Sequence, residues 1–437
     1  NSNLRHIINM KRILILIRSF NDFDQALPII DYIANNSDNT VSVWSFNKNL
    51  KGCGTHIKYL DSLNIPVEYL SDKISKISKY ILKFYLPLTN ISLKAQKYSF
   101  LIPVTILVSN IRPVIDALLN NEYSRILKNH SFNIIMIDTG METSNDGRSM
   151  LAASKGNGIC VVGYSHGYSV YSNSDPLQKD KLMHGKIKSF LIKMAKPLRK
   201  RVYADCYLAG VGQINAHFRH PKQSGNFELS ELHKVKETGM PRYAREWVDK
   251  YRNHVLHDQS FSYGDKNNLN VVLFMSHPQY NVRMDMLYLL INKLSVLDNI
   301  NFVYKPHTRR GLHLVNINKL NGLDVSDISS VSLSEWADVG IVYGSSIGIQ
   351  LLVDSVPLVV PSFVHLNTTI FEDNGVSISI DTIEELTDLM HKSKTEIINM
   401  IDQNKVDNFI DNTIYGNDKE NMMRTYCSFS NCCLELP

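Results

Sequence analysis

Three apolar segments in the second half of the chain are each followed directly by basic or hydroxyl side chains. The segments are 271–275, 301–304 and 339–343, and the side chains after them are those of His277, Lys305, His307, Arg309, Ser345 and Ser346. Cations and hydrogen-bond donors that converge on one place form a pocket for phosphate or diphosphate. Each residue alone also fits a plainer role, such as a structural histidine, a solvated arginine or a helix-capping serine.

The strongest signal is the Gly-Ser-Ser-x-Gly turn at 344–348, which lies between an apolar run and an apolar helical stretch. A turn of this kind places its hydroxyls at a helix N-terminus, just past the carboxyl end of a strand. Free backbone N–H groups and the helix dipole attract an anion there. Gly344 and Gly348 let a ligand approach the backbone.

The elements that position these residues follow from the alternation of short apolar runs with helical patterns. In the first half, strands are predicted at 12–17, 41–45, 65–69, 133–138, 159–163 and 203–209, and helices at 22–35, 104–128 and 147–156. In the second half, strands are predicted at 269–275, 301–305, 339–343 and 357–360, and helices at 281–297, 346–354 and 382–402. The alternation predicts an α/β fold with two Rossmann-like domains facing a cleft, where ligands bind at the carboxyl ends of the strands.

The predicted organisation has four parts. They are a first domain at 1–210, an interdomain linker at 211–267, a second domain at 268–410, and a segment at 411–437 that packs back on the first domain. The linker is polar and has few apolar runs, which separates it from both domains.

Composition narrows the function classes. The chain has 437 residues, 44% of them hydrophobic, which is enough for two domains with their own cores. A net charge of +5 is too mild to indicate a nucleic-acid partner. The six cysteines form no zinc-binding pattern and fit a reducing cytosol. No stretch reaches the roughly 18 apolar residues of a membrane span, so we expect a cytoplasmic protein.

Two motifs resemble the nucleotide-binding half of GT-B glycosyltransferases: Tyr-Lys-Pro-His at 304–307, and Tyr-Gly-Ser-Ser at 343–346 with Pro357 about a dozen residues on. More narrowly, they resemble the bacterial surface-polysaccharide group. That group comprises Kdo transferases of capsule and O-antigen assembly, polysialyltransferases, and teichoic-acid polymerases that use CDP-glycerol. The resemblance implies that these residues contact the donor phosphate. Gln350 stands where many GT-B enzymes have a glutamate that holds the ribose, and Thr308 replaces the usual second proline.

The first half is similar to the same group over 133–167, with a strand, an Arg-bearing helix, a second strand and a terminal His-Gly pair. The Gly-Met-Pro-Arg turn at 239–242 resembles the turn near the domain junction of those enzymes. The aspartate expected shortly after that turn is not in place. The resemblance covers most of residues 130–365.

Asp138, Glu142 and His166 follow consecutive predicted strands and are expected to face the cleft. A glycosyl transfer needs a base for the acceptor hydroxyl, or a carboxylate nucleophile if the configuration is retained. Glu142 and His166 are the leading candidates, and Asp138 is the third. A capping role for Asp138, a solvated loop charge for Glu142 and a turn-shaping role for His166 are the alternatives.

Two basic amphipathic stretches, 73–85 and 186–201, interleave lysine or arginine with apolar residues. Helices of this kind can lie on an anionic membrane surface, or can simply be core-facing helices with a charged outer face. A peripheral position on the bacterial inner membrane would suit a lipid-linked acceptor.

The leading hypothesis is a glycosyltransferase that moves a sugar from a nucleotide donor to a growing bacterial surface polysaccharide or lipid-linked acceptor. CMP-Kdo or another CMP-linked acidic sugar is the expected donor. A CDP-polyol phosphotransferase, a UDP-sugar 2-epimerase and a non-catalytic nucleotide- or glycan-binding protein are the alternatives. An epimerase would need several carboxylates near the anomeric carbon. We expect no required cofactor or divalent metal, because no Asp-x-Asp pair stands in a suitable turn.

Overall fold

The computed structural model describes residues 10–94, 102–165, 167–173, 201–212, 229–256, 260–276, 282–307 and 321–428. Two parallel sheets lie within these ranges, and each is flanked by helices. His166, His277, Thr308, Arg309 and residues 186–200 of the basic stretch 186–201 lie outside the described residues.

The first sheet has the strand order β3-β2-β1-β4-β5-β6-β7, and all of its pairings are parallel. Its strands are β1 Arg12–Ile17, β2 Thr40–Ser45, β3 Val67–Tyr69, β4 Ile134–Asp138, β5 Cys160–Tyr164, β6 Cys206–Ala209 and β7 Val235–Glu237. The central strands are near-continuous apolar runs because helices cover both faces of the sheet.

Six α-helices connect the strands of the first sheet within the described residues. They are α1 Phe20–Asn36, α2 Gly54–Ser62, α3 Leu70–Lys73, α4 Lys76–Lys94, α5 Ile102–Lys128 and α6 Asn145–Gly156. A 3₁₀ turn, Thr139–Thr143, lies between β4 and α6. None of the helices in the described ranges combines the length and apolar character that a membrane span requires.

The second sheet has the order β10-β9-β8-β11-β12-β13 and is also parallel. Its strands are β8 Leu269–Phe274, β9 Ile300–Lys305, β10 Leu323–Asp324, β11 Val339–Val342, β12 Leu358–Pro361 and β13 Ile378–Ile380. The helices after β7 are α7 Arg245–Lys250, α8 Met284–Leu294, α9 Ser330–Trp336, α10 Ile347–Val353, α11 Ile370–Asp373, α12 Ile383–Met390, α13 Lys394–Ile398, α14 Gln403–Tyr415 and α15 Lys419–Ser428.

The segment between the sheets joins the two domains through buried apolar residues. Trp247 on α7 and Tyr251 in the π-helical turn Tyr251–Val255 belong to a core cluster that extends from the first sheet to Ile349 and Phe371 of the second domain. The chain end returns to the first domain, where α15 packs against α1. The Met240 N–H donates to the Ile414 carbonyl at 2.7 Å, which ties α14 to the interdomain segment.

The predicted fold class is confirmed, and the differences lie in individual elements. Helices α4 Lys76–Lys94 and α14 Gln403–Tyr415 are not among the predicted helices. Strand β7 continues the first sheet into residues that the sequence assigned to the linker. The predicted strand 203–209 begins at Cys206, and the predicted helix 382–402 is split into α12 and α13. Strands of two or three residues such as β7, β10 and β13 are too short to show a periodic pattern.

Candidate functional site

The Gly-Ser-Ser turn lies between β11 and α10, as the sequence predicts. Gly344 has φ +64°, a left-handed conformation that favours glycine. Ser345 and Ser346 are both half-buried. Ser346 forms a side-chain hydrogen bond with Tyr243, a residue of the interdomain segment. The turn therefore meets the interdomain segment directly.

Lys305 ends β9, but its ammonium group is directed towards backbone oxygens. The side chain is buried, and Nζ donates to the carbonyl of Ser326 at 2.9 Å and to that of Ile328. Burial lowers the pKa of Lys305 to about 8. Lys305 thus holds the loop after β10, while His307, two residues later, is half-buried at the sheet edge.

Gln350 occupies α10 with both ends of its amide engaged. Oε1 lies 3.5 Å from Nη1 of Arg242, and Nε2 donates to Asp354 at 3.1 Å. The side chain is fully buried. Gln350 therefore lies at the domain junction, where its side chain connects Arg242 to Asp354 and holds the helix that follows the turn.

A buried ionic cluster crosses the junction beside Gln350. Nε of Arg242 donates to Asp24 of α1 at 2.5 Å, and His56 Nε2 lies 3.4 Å from the same carboxylate. Burial alone would raise the pKa of Asp24, but the Arg242 charge and the His56 hydrogen bond outweigh it and lower that pKa. The sequence identified Arg242 only through the Gly-Met-Pro-Arg turn.

A second cluster lies at the carboxyl edge of the first sheet. Nε of Arg18 donates to Asp22 at 3.1 Å, and Nη2 lies 3.6 Å from Asp138. Asp138 also accepts from the Gly140 N–H at 2.6 Å. Both carboxylates are fully buried, whereas the Arg18 side chain is 28% exposed. Arg18 is not among the predicted site residues, although it is the basic residue that ends the first apolar run.

The sequence predicts that Glu142 faces the cleft, but in the structure it does not. It is fully buried; Oε1 accepts from the Ala204 N–H at 2.8 Å and the Tyr207 hydroxyl at 2.5 Å, and Oε2 accepts from Arg201 Nε at 2.6 Å. Burial raises the pKa of Glu142, while the Arg201 charge and the hydrogen bonds from Tyr207 and Ala204 oppose the rise. An acceptor hydroxyl cannot reach this carboxylate unless these contacts are lost.

The carboxyl edges of the two sheets meet at Tyr171, which follows β5. A Cβ placed on Gly344 would lie only 2.3 Å from the Tyr171 hydroxyl oxygen, so that hydroxyl rests against the backbone of the turn. The Tyr171 ring stacks on His365, with centroids 5.4 Å apart and planes 21° apart. The loops after β5, β11 and β12 thus converge in one cleft.

Comparison with solved structures identifies the architecture. No family model matches the chain, and a search of curated proteins finds no match. A UDP-GlcNAc 2-epimerase from Neisseria meningitidis, solved with UDP-GlcNAc bound, is similar at a TM-score of 0.52 and 11% identity, over 97% of this chain and 100% of the other.

Two further structures have lower TM-scores of 0.48. The MnaA–UDP structure from S. aureus has 11% identity over 94% of this chain and 98% of the other, and the glycosyltransferase of kitacinnamycin has 12% identity over 97% and 98%. At these identities the likeness concerns the fold alone. The chain has the GT-B fold, with two Rossmann-like domains whose strand ends meet at a shared cleft.

Proposed function

We propose that the protein is a glycosyltransferase that uses a nucleotide-sugar donor. The supporting observation is the meeting of the two carboxyl edges, with the hydroxyl-bearing turn 344–346 on one side and the Arg18 cluster on the other. Ligands of open parallel sheets bind at this edge. The two sides suit two tasks: anion binding by donors at the turn, and chemistry beside the carboxylates.

The second domain is the proposed donor side. The proposed nucleotide contacts are His277, His307, Arg309, Gly344, Ser345 and Ser346. Lys305 and Gln350, which the sequence placed among these contacts, are proposed to hold the surrounding loops. The motifs at 304–307 and 343–346 support CMP-Kdo or another CMP-linked acidic sugar as donor.

The first domain is the proposed acceptor side. Asp138 and His166 are the proposed candidates for the base. Both carboxylates are buried, but the Glu142 partner Arg201 is only 9% exposed, whereas Asp138 lies beside Arg18, which is 28% exposed. In the transfer, the acceptor oxygen gives its proton to the base and forms a bond to the anomeric carbon. The bond from that carbon to the phosphate oxygen breaks, and the nucleotide leaves with the electron pair. Arg18 keeps the Asp138 carboxylate in place.

We propose that the transfer needs no cofactor or divalent metal. The hydroxyls of Ser345 and Ser346 and the guanidinium of Arg309 are proposed to supply the hydrogen-bond donors and the positive charge for the departing phosphate. Transfer is therefore expected to continue in excess EDTA. Loss of activity that Mg²⁺ or Mn²⁺ restores would contradict this part of the proposal.

The proposed acceptor is a bacterial surface polysaccharide or lipid-linked glycan at the inner face of the inner membrane. Ile77, Tyr80 and Phe84 are 73%, 66% and 72% exposed and, at this spacing, share one face of α4. Exposed lysines adjoin this apolar stripe, namely Lys76, Lys79 and Lys83. An apolar stripe flanked by lysines fits a bilayer with anionic headgroups.

A UDP-sugar 2-epimerase is the second candidate, because the Neisseria meningitidis neighbour of the same fold carries that name. An epimerase acts on the nucleotide sugar alone, whereas a transferase releases nucleotide and needs an acceptor. The two functions therefore differ in products.

The test is an assay of the purified protein with CMP-Kdo, CDP-glycerol and UDP-GlcNAc, with and without membrane extract as acceptor. Acceptor-dependent release of CMP from CMP-Kdo supports the proposal. Release from CDP-glycerol would point to the phosphotransferase alternative, conversion of UDP-GlcNAc without release to the epimerase, and binding without turnover to the binding protein.

A further inference from the structure

A short segment of the first domain is laid across the second domain at the mouth of the proposed donor pocket. The segment 167–173, here named the strap, follows β5. It pairs with 367–370, the loop that precedes and begins α11. The Ser172 N–H donates to the Thr368 carbonyl at 3.1 Å, and the Ile370 N–H donates to the Val170 carbonyl at 2.9 Å. Tyr171 and Thr369 form an antiparallel bridge between these two bonds.

Side chains reinforce this pairing. The hydroxyls of Ser172 and Thr368 are 2.9 Å apart, and Oδ1 of Asn173 accepts from Asn367 Nδ2 at 2.9 Å. The loop that receives the strap is fixed, since Thr369 and Glu372 form a capping box at the start of α11. The strap is therefore anchored on a rigid part of the second domain.

The strap fills the space over Gly344. The Tyr171 hydroxyl lies so close that a Cβ at Gly344 would be 2.3 Å from it. A phosphate oxygen needs about 2.7–2.9 Å to a donor on each side. No phosphate fits between Tyr171 and the turn in this arrangement.

We propose that the strap is a gate on the donor pocket, closed in this structure and displaced when the donor phosphate reaches Gly344. The inference rests on the proposed function, because that function places the phosphate at this turn. When the strap opens, its contacts with 367–370 are lost, and the face of the His365 ring that stacks on Tyr171 becomes accessible. The apparent donor affinity is consequently the affinity of the open form multiplied by the fraction of molecules in which the strap is open.

The first test locks the strap with a disulfide. The hydroxyl oxygens of Ser172 and Thr368 occupy the positions that two sulfur atoms would take, so the Ser172→Cys/Thr368→Cys protein can form a bond of about 2.05 Å with a small adjustment. Titration calorimetry with CMP, CDP and UDP is run on the oxidised and reduced forms, and the wild-type protein receives the same treatments. We expect the oxidised variant to bind at least roughly tenfold more weakly than its reduced form.

The second test removes the gate. Tyr171→Ala is expected to bind the preferred nucleotide about fivefold more tightly than the wild type, because the closed state loses its contact with Gly344. Equal affinity of the locked and reduced proteins would overturn the gate while leaving the proposed function standing. Weaker binding by Tyr171→Ala would also overturn it. Failure of the wild-type protein to bind any of these nucleotides would overturn both.

Discussion

Arg242 and Asp24 form a buried ion pair that fastens the segment between the sheets to helix α1, with Nε 2.5 Å from the carboxylate. The same guanidinium reaches the second domain, where Nη1 lies 3.5 Å from Oε1 of Gln350. One side chain thus contacts both domains beside the proposed donor turn. The geometry of the cleft depends on this contact.

Replacing Asp24 with asparagine should reduce the free energy of unfolding by about 3–5 kcal/mol, the usual effect of removing one charge from a buried pair. Arg424→Ala is the matched control, because Arg424 pairs with Glu420 on the exposed surface of α15. An exposed pair of this kind contributes about 0–1 kcal/mol. Urea denaturation of both variants measures the difference, and equal losses would contradict the role given to Asp24.

The lowered pKa of Asp24 makes this contribution pH-dependent. A carboxylate whose pKa is lower in the folded state stabilises the protein fully above its unfolded pKa of about 3.9. The contribution is lost as the pH falls through the folded value. Unfolding free energies measured between neutral pH and the acid transition should therefore begin to converge for wild-type and Asp24→Asn protein below about pH 4, and should meet as the pH falls through the lowered pKa of Asp24. Parallel curves would show that the pair does not set the pKa.

We predict that Glu142 contributes to stability and not to turnover, whereas Asp138 contributes to turnover. Glu142→Gln leaves the Arg201 guanidinium facing a neutral amide, so the melting temperature should fall while the folded fraction keeps its turnover. Asp138→Asn removes one of the two carboxylates beside Arg18, so the melting temperature should also fall, and the turnover of the folded fraction should fall by about 10²–10⁴-fold. If the Glu142→Gln protein is as stable as the wild type but has lost most of its turnover, this prediction is wrong and Glu142 is the base.

The exposed face of α4 should direct membrane binding. Ile77→Ser/Phe84→Ser protein should sediment less with vesicles that contain phosphatidylglycerol, and salt should weaken the binding of the wild type. Val296→Ser is the control, because Val296 is an exposed apolar residue, 66% exposed, that lies in the second domain and outside the α4 stripe. Equal binding by the two variants would rule out the α4 face as the docking surface.

Sequence reasoning predicts the fold well because long apolar runs specify buried parallel strands. The runs at β1, β4, β8 and β11 stand at the predicted positions, and so does the Gly-Ser-Ser turn. The positions of long polar side chains do not follow from the order of strands. Lys305 and Glu142 both follow predicted strands, yet their charged ends are directed to backbone and buried partners.

The missed contacts that connect the parts of the site join residues that are distant in sequence. Arg18 meets Asp138, and Tyr171 meets Gly344, through the packing of strands and domains. Such pairs carry no local spacing pattern that a single sequence can reveal. Only the terminal position of Arg18 after the first apolar run was a usable signal.

The most direct test of the account is titration of the wild-type protein and Ser346→Ala with CMP, CDP, UDP and GDP. A nucleotide-sugar transferase with its donor at the turn 344–346 should bind one of them, with CMP expected first. Ser346→Ala should weaken that binding by about 1–3 kcal/mol, the range for a lost hydrogen bond to a charged group. Absence of binding to all four, or unchanged affinity in the variant, would contradict the donor site proposed for this cleft.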